Sequence, residues 1–164
     1  MHADRKVCRE PEFRIGPYEV LRRPHLDEFL EGALARFDVG IWTASSRDYA
    51  RPVVDWLGVT ERLSFLWCRD RCTVAFDYVT YERVRMKPIK KLIRAGFGPK
   101  ERILYVDDSP EKIQRSYGNY IRIAPYEGAG NDEELVHLLA YLDELGPVPN
   151  VRTIEKRGWR LRFS

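Results

Sequence analysis

Ile103-Leu104-Tyr105-Val106-Asp107-Asp108-Ser109-Pro110 is the stretch on which the reading of this chain turns. Four apolar residues run without a polar break into two adjacent carboxylates. An apolar run that short and continuous predicts a strand buried on both faces, as in a parallel sheet. Ser109 followed by Pro110 predicts a helix start, with a hydroxyl at the N-cap and proline at the first helical position. Asp107 and Asp108 thus fall where a strand ends and a helix begins, the edge at which open α/β sheets take their ligands. Two neighbouring carboxylates repel each other, and a hard cation such as Mg²⁺, which prefers oxygen ligands, would make the pair tolerable. Taken alone, the pair has a plainer reading: one Asp caps the helix and the other is solvated.

The composition narrows the classes. A chain of 164 residues, 44% apolar and 32% charged, suits one globular domain over 1–164 with a sizeable core. No run is long enough to span a membrane and no signal-peptide pattern opens the chain. Cys8, Cys68 and Cys72 make no disulfide framework and read as thiols of a reducing cytoplasm. Cys68 and Cys72 resemble half a metal site, but no second pair or nearby His completes it. The net charge of +3, with a pI near 8.8, suits phosphorylated or acidic substrates and is far from a nucleic-acid footprint.

Strand and helix signals alternate outward from the opening stretch. Residues 1–20 read as irregular around Pro11, Gly16 and Pro17, with a short extended piece from Tyr18 to Leu21. Pro24 is expected to open a helix whose apolar stripe runs from Leu26 to Phe37. Val39 to Trp42 predicts a second buried strand, ending at Thr43-Ala44-Ser45-Ser46. A helix comes next that turns Tyr49, Val53, Val54 and Leu57 inward, with Gly58 as its stop and Pro52 expected to kink or restart it. Residues 62–86, rich in aromatic and β-branched residues, predict a small antiparallel insertion. Lys87-Pro88 opens a helix closed by Gly96 and Gly98, and Tyr120 to Ile123 is a further strand. Asn131 with Glu134 predicts a capping box for a last helix striped with leucines. A basic extension, 151–164, ends the chain. The fold class is α/β, a mostly parallel sheet with flanking helices plus the antiparallel insertion.

Three edges now present chemistry in a fixed order: Thr43 with Ser45 after one strand, Lys87 at a helix start, and Asp107 with Asp108 after another strand. A hydroxyl, an ammonium and a metal-binding carboxylate pair are what a phosphoryl group needs. The hydroxyl and backbone N–H groups hold its equatorial oxygens, and the cations offset the charge spread over them. A response-regulator receiver is excluded by order, since its acidic pair comes early and here the pair comes last.

This set resembles the haloacid dehalogenase superfamily of phosphatases. Within it, the chain is similar to the branch of carboxyl-terminal-domain phosphatases and NLI-interacting-factor-like proteins. Arg22-Arg23-Pro24-His25-Leu26-Asp27-Glu28-Phe29-Leu30 resembles a helix motif of that branch. Ile41-Trp42-Thr43-Ala44-Ser45 resembles its second motif, with Tyr49-Ala50 and Pro52-Val53 after it. Met86-Lys87 resembles the lysine motif and Val106-Asp107-Asp108-Ser109-Pro110 the fourth. The resemblance covers nearly the whole chain and implies a Rossmann-like sheet. It also implies Mg²⁺-dependent hydrolysis of phosphomonoesters, typically phosphoserine or phosphothreonine in proteins, through a phospho-aspartate. The partners implied are a phosphorylated protein or peptide, or a small phosphomonoester, with no nucleic acid and no membrane. By carry-over, Thr43, Lys87 and Asp107 are the catalytic set, and Thr43, Ala44, Ser45 and Lys87 bind phosphate. Asp107 and Asp108 hold the metal, and Arg69 and Arg71 in the insertion face the substrate.

The first motif of that family, Asp-x-Asp-x-Thr, supplies the aspartyl nucleophile and general acid, and no Asp-x-Asp occurs in these 164 residues. Asp4 lacks both a preceding apolar strand and a second Asp two residues on. His2-Ala3 resembles the residues just after the missing motif, so the motif is expected upstream of Met1, with Met1 an internal start codon. An in-frame stop codon in the upstream DNA before any such motif would refute that. The missing strand lies in the family between those ending at Thr43 and Asp107. Each orphaned buried backbone group costs about 1–3 kcal/mol against a typical stability of roughly 5–15 kcal/mol. The chain as given is expected to fold poorly and turn nothing over, and a non-catalytic phosphate-binding module is the alternative from another class.

Several residues also have plain readings. Thr43 could cap the next helix and Lys87 could be a solvated lysine, although a cation at a helix start is slightly unfavourable. His25 and His137 read as surface or core rather than ligands, and Trp42 and Trp67 as core. The tail's Arg152, Lys156, Arg157, Arg160 and Arg162 read as a solvated edge that could meet an acidic phosphopeptide.

Overall fold

A computed structural model describes residues 11–78, 81–128 and 130–163. Asp4, Cys8 and the His2-Ala3 pair lie outside the described residues. Around Gly16, whose φ of 55° suits glycine, β1 (Phe13–Ile15) and β2 (Tyr18–Val20) pair antiparallel; β2 is the extended piece expected from Tyr18, and β1 stands where irregular chain is expected.

Beyond Val20, α-helices and strands alternate as far as residue 67, after which strands also succeed one another without an α-helix between them. Helix α1 (Leu26–Arg36) leads to β3 (Gly40–Trp42), α2 (Arg47–Trp56) and β4 (Phe65–Trp67). The hairpin β5 (Thr73–Asp77) and β6 (Glu82–Met86) comes next, then α3 (Ile89–Arg94), β7 (Tyr105–Asp107), β8 (Tyr120–Arg122) and α4 (Glu134–Leu145). Strand β3 pairs with β4 and β7 with β8, both parallel, and β5 pairs with β6 antiparallel. The parallel component is therefore two pairs, and among the described residues no ladder joins them. The Trp42 and Tyr105 rings, 6.5 Å apart, link the pairs through side chains instead.

The antiparallel insertion is shorter than the 62–86 expected, because β4 belongs to the parallel pair. Gly40 stands opposite Phe65, and a Cβ there would lie 2.2 Å from the Phe65 ring. The absence of a side chain at Gly40 is what seats that ring against the neighbouring strand. Two core clusters sandwich the β7–β8 pair. Tyr105 and Tyr120 face a cluster with Trp42, Leu92, Ile103 and Ile113. Ile121 faces the other cluster, with Leu135, Leu138, Tyr141, Leu142, Leu145 and Trp159. Ile103 and Tyr105 are buried on one face and Leu104 is half-buried against the other cluster, but Val106, expected to be buried as well, is 37% exposed, so the strand is covered on both faces only over its first part.

Local expectations fare unevenly. Gly58 succeeds α2 with a φ of 71°, as a helix stop requires. Pro52 sits inside α2 without ending it. The hydrogen bond it forgoes would end on the carbonyl of Asp48, an exposed first-turn residue that water can serve. Ser109 makes no side-chain cap, and the segment behind it is a single 3₁₀ turn, Pro110–Ile113. The capping box at Asn131 and Glu134 is replaced by Asp132, whose carboxylate accepts the Glu134 N–H at 3.0 Å and the paired N–H groups of Arg23.

The tail is a solvated edge only in part: the Arg157 side chain is 91% exposed, but other residues of the segment pack into the domain. Trp159 is buried, with its ring stacked on Tyr141 and its Nε1 donating to the Arg122 carbonyl at 2.9 Å. Arg160 pairs with Glu134 and Arg162 with Glu144. Lys156 is buried and donates to the carbonyls of Gly118, Val151 and Ile154. Burial lowers its pKa, with the Glu155 carboxylate acting the other way.

Two buried-edge carboxylates tie these elements together and give a pH dependence. Burial pushes Asp132 and Glu134 upward, but the guanidinium bonds from Arg23 and Arg160, with a backbone N–H each, hold both below the usual carboxylate range. A folded pKa below the unfolded value of about 4 means this stabilisation is complete above it and lost as pH falls through the folded values. Acid unfolding followed by circular dichroism should therefore show an acid limb that shallows in Asp132→Asn.

Candidate active site

The segment after β7 folds back on its own carboxylates. Asp107 Oδ1 accepts the Ser109 N–H at 2.9 Å, closing a turn of the kind Asp favours. Ser109 Oγ donates to Asp108 Oδ1 at 2.8 Å and receives Lys112 Nζ at 3.0 Å. The hydroxyl expected to cap a helix instead bridges Asp108 and Lys112. Tyr120 on the neighbouring strand donates its hydroxyl to the Asp107 carbonyl at 2.9 Å. Burial first, then the Asp107 charge, pushes that phenol up to about 12. Tyr120 is thus a fixed hydrogen-bond donor at neutral pH.

Lys87 arrives from the end of β6. Its backbone N–H donates to the Lys112 carbonyl at 2.9 Å, which sets the strand end against the 3₁₀ turn. Its ammonium reaches Asp107 Oδ2 at 2.5 Å, with the two side chains only 9% and 11% exposed. Leaving a charge so nearly buried without a partner is costly, and Asp107 is that partner. The sequence points to Lys87 and Asp107 as partners of one phosphate; their direct ion pair is visible only in the structure.

The Thr43 turn is built separately. Its N–H donates to the Trp67 carbonyl at 2.8 Å, continuing the β3–β4 ladder. Thr43 Oγ1 accepts the Ser45 N–H at 3.1 Å, which leaves the hydroxyl proton free to donate. Rather than capping α2, the hydroxyl shapes the turn that precedes it. Arg69 braces this turn, donating from N to the Ser45 carbonyl at 2.9 Å and from Nε to the Ala44 carbonyl at 3.2 Å. Cys72 Sγ reaches the Thr43 carbonyl at 3.7 Å, and both Cys68 and Cys72 are free thiols. Arg71 lays its guanidinium over the Trp67 ring at 4.4 Å. The expected site residues therefore form two braced groups, Lys87 with Asp107 and Asp108, and Thr43–Ser45 with Arg69. The rings of Trp42 and Tyr105, just before Thr43 and near Asp107, are the contact between their strands.

Asp107 and Asp108 offer hard oxygen donors, which is the chemistry Mg²⁺ accepts, and that ion is held by one or two carboxylates when phosphate and water complete its shell. No cluster of three His, Cys, Asp or Glu forms among the described residues, so the pair would be the contribution of these residues. His25 is exposed and His137 stacks on Phe163, so neither joins it. Among the described residues no helix is long and apolar enough to cross a membrane.

Comparison with known proteins gives the family. The chain is 30% identical over 163 residues to a probable C-terminal domain small phosphatase of Dictyostelium discoideum, covering 94% of this chain and 50% of that protein. It is 31% identical over 135 residues to the human carboxy-terminal domain RNA polymerase II polypeptide A small phosphatase 1, covering 82% and 48%. Nuclear envelope morphology protein 1 of Saccharomyces cerevisiae matches at 29% over 142 residues, covering 84% and 31%. The chain thus spans half or less of the length of these relatives. The NLI interacting factor-like phosphatase family matches over residues 2–152, nearly the whole sequence. This chain belongs to that family, in the carboxyl-terminal-domain phosphatase branch of the haloacid dehalogenase superfamily.

Proposed function

We infer that this domain serves the hydrolysis of phosphomonoesters on proteins, of the serine/threonine phosphatase type. The observation that carries the reading is the Lys87 ammonium, nearly buried against Asp107 at the carboxyl end of β7. A cation held in so little water neutralises the charge that gathers on phosphoryl oxygens in a loose transition state. The Thr43 hydroxyl, its lone pair engaged by Ser45, offers its proton to an equatorial oxygen. The N–H groups of the Ala44–Ser45 turn, stiffened by Arg69, would orient the ester. Asp107 and Asp108 would hold Mg²⁺, which when bound supplies Lewis-acid stabilisation of phosphate charge. A single Rossmann-like sheet, with the two parallel pairs as its halves, belongs to the same reading.

The aspartyl nucleophile of that chemistry has no counterpart among these 164 residues. We therefore assign these residues phosphate binding, and assign turnover to them only when extended by a strand that carries Asp-x-Asp-x-Thr. A Mg²⁺-dependent assay with p-nitrophenyl phosphate tests this. The 164-residue chain should leave the ester at its buffer rate. The extended chain should hydrolyse it, and should lose that activity when Asp107→Asn and Asp108→Asn are combined. Turnover that survives the double change removes the two carboxylates from the site. An extended chain that binds phosphopeptide and never hydrolyses it is a binding module instead.

A further inference from the structure

Beside the Thr43 turn lies a basic hollow that the assignment above does not use. One part, about 380 Å³, is lined by Arg47, Trp67, Asp70 and Arg71 among others. An adjoining part of about 280 Å³ shares Asp70 and Arg71 and adds Lys91 and Arg94. Four cations thus meet one carboxylate. Among the described residues, nine arginines elsewhere reach a carboxylate within 4.0 Å. Arg47, Arg71, Lys91 and Arg94 have no such partner among the described residues, so their charge remains available to an incoming anion.

The hollow is rigidly placed relative to the phosphate turn. Arg47 opens α2 directly after Ser46. Arg71 belongs to the same 3₁₀ turn, Arg69–Arg71, that braces Ala44 and Ser45. Its guanidinium is oriented by Trp67, and Lys91 Nζ donates to its carbonyl at 2.7 Å. Stacking and one bond leave the in-plane guanidinium N–H donors and two ammonium donors for a ligand, and a guanidinium fork matches phosphate or carboxylate bidentately.

We propose that this hollow is a second anion site, taking a phosphate or carboxylate that the substrate peptide carries beside the phosphoester bound at Thr43. The proposal rests on the phosphate-binding reading above. It makes the domain selective for peptides that are multiply phosphorylated or acidic around the reacting residue.

Fluorescence anisotropy on the 164-residue chain tests it with labelled peptides of otherwise neutral sequence. One set carries a single phosphoserine; a second carries another phosphoserine at successive spacings; a third carries Glu in its place. At its best spacing, the second anion should tighten binding about tenfold, the sum of two exposed charge contacts. The gain should shrink as salt is raised. The third set decides whether carboxylate suffices or phosphate is needed. Combining Arg47→Gln with Arg94→Gln, both exposed positions, should erase the gain and leave the singly phosphorylated peptide unchanged. Equal binding of all sets, or a gain that survives the double change, overturns the second site while Thr43→Val still weakens the single phosphopeptide. Binding indifferent to Thr43→Val overturns the phosphate reading, and the second site with it.

Discussion

Asp107→Asn should lower the stability of this chain by about 3 kcal/mol, read as a shift of the urea midpoint. The substitution keeps the shape of the side chain and an oxygen for the Ser109 N–H. What it removes is the charge opposite Lys87, whose ammonium has almost no water to turn to. A charge left alone at such a depth is the costly outcome, far more so than the loss of an exposed ion pair. Lys87→Met should cost a similar amount by stranding the carboxylate. The two changes together should cost less than their sum, because neither charge remains to be stranded. An unchanged midpoint in Asp107→Asn would mean the pair does not form, and the geometry proposed for the phosphate would lose its support.

Trp159→Ala should be the most damaging single substitution in the tail, at about 4 kcal/mol. The indole is 2% exposed, stacks on Tyr141 at 5.4 Å between ring centres, and donates to the end of β8 through Arg122. Removing it opens a cavity between α4 and the strand that carries Tyr120. Leu161→Ala, at a position 79% exposed, is the matched control and should change stability by less than about 0.5 kcal/mol. Thermal unfolding of both variants separates a tail that belongs to the core from one that rides on the surface. Equal effects would return residues 151–163 to the solvated edge suggested by their charge alone.

Much of the local structure is legible in the sequence because it depends on near neighbours. The unbroken run from Ile103 marks a strand, although its last apolar residue, Val106, is exposed rather than covered, and the leucine spacing of 135–145 marks the buried side of α4. Strand partnership is not legible. Phe65-Leu66-Trp67 would read the same in a hairpin as in a parallel pair, and what seats it beside β3 is the bare backbone of Gly40, distant in sequence. The site divides along the same line. Thr43, Lys87, Asp107 and Asp108 are legible as a set, since their order between strands and helices carries the signal. That Lys87 closes onto Asp107, that Tyr120 donates to its carbonyl and that Arg69 braces Ala44 depend on contacts from 13 to 25 residues away. The tail misleads because its charges are plain in the sequence, while the carboxylates that neutralise Arg160 and Arg162 sit on α4.

The buried ammonium of Lys156 carries a practical consequence. With three backbone carbonyls closed around it, an amine-reactive reagent can reach this nitrogen only when the C-terminal segment lifts off the body of the domain. The rate at which it becomes labelled, set against surface lysines of the same chain, is thus a clock for that opening, built into the sequence and needing no added probe.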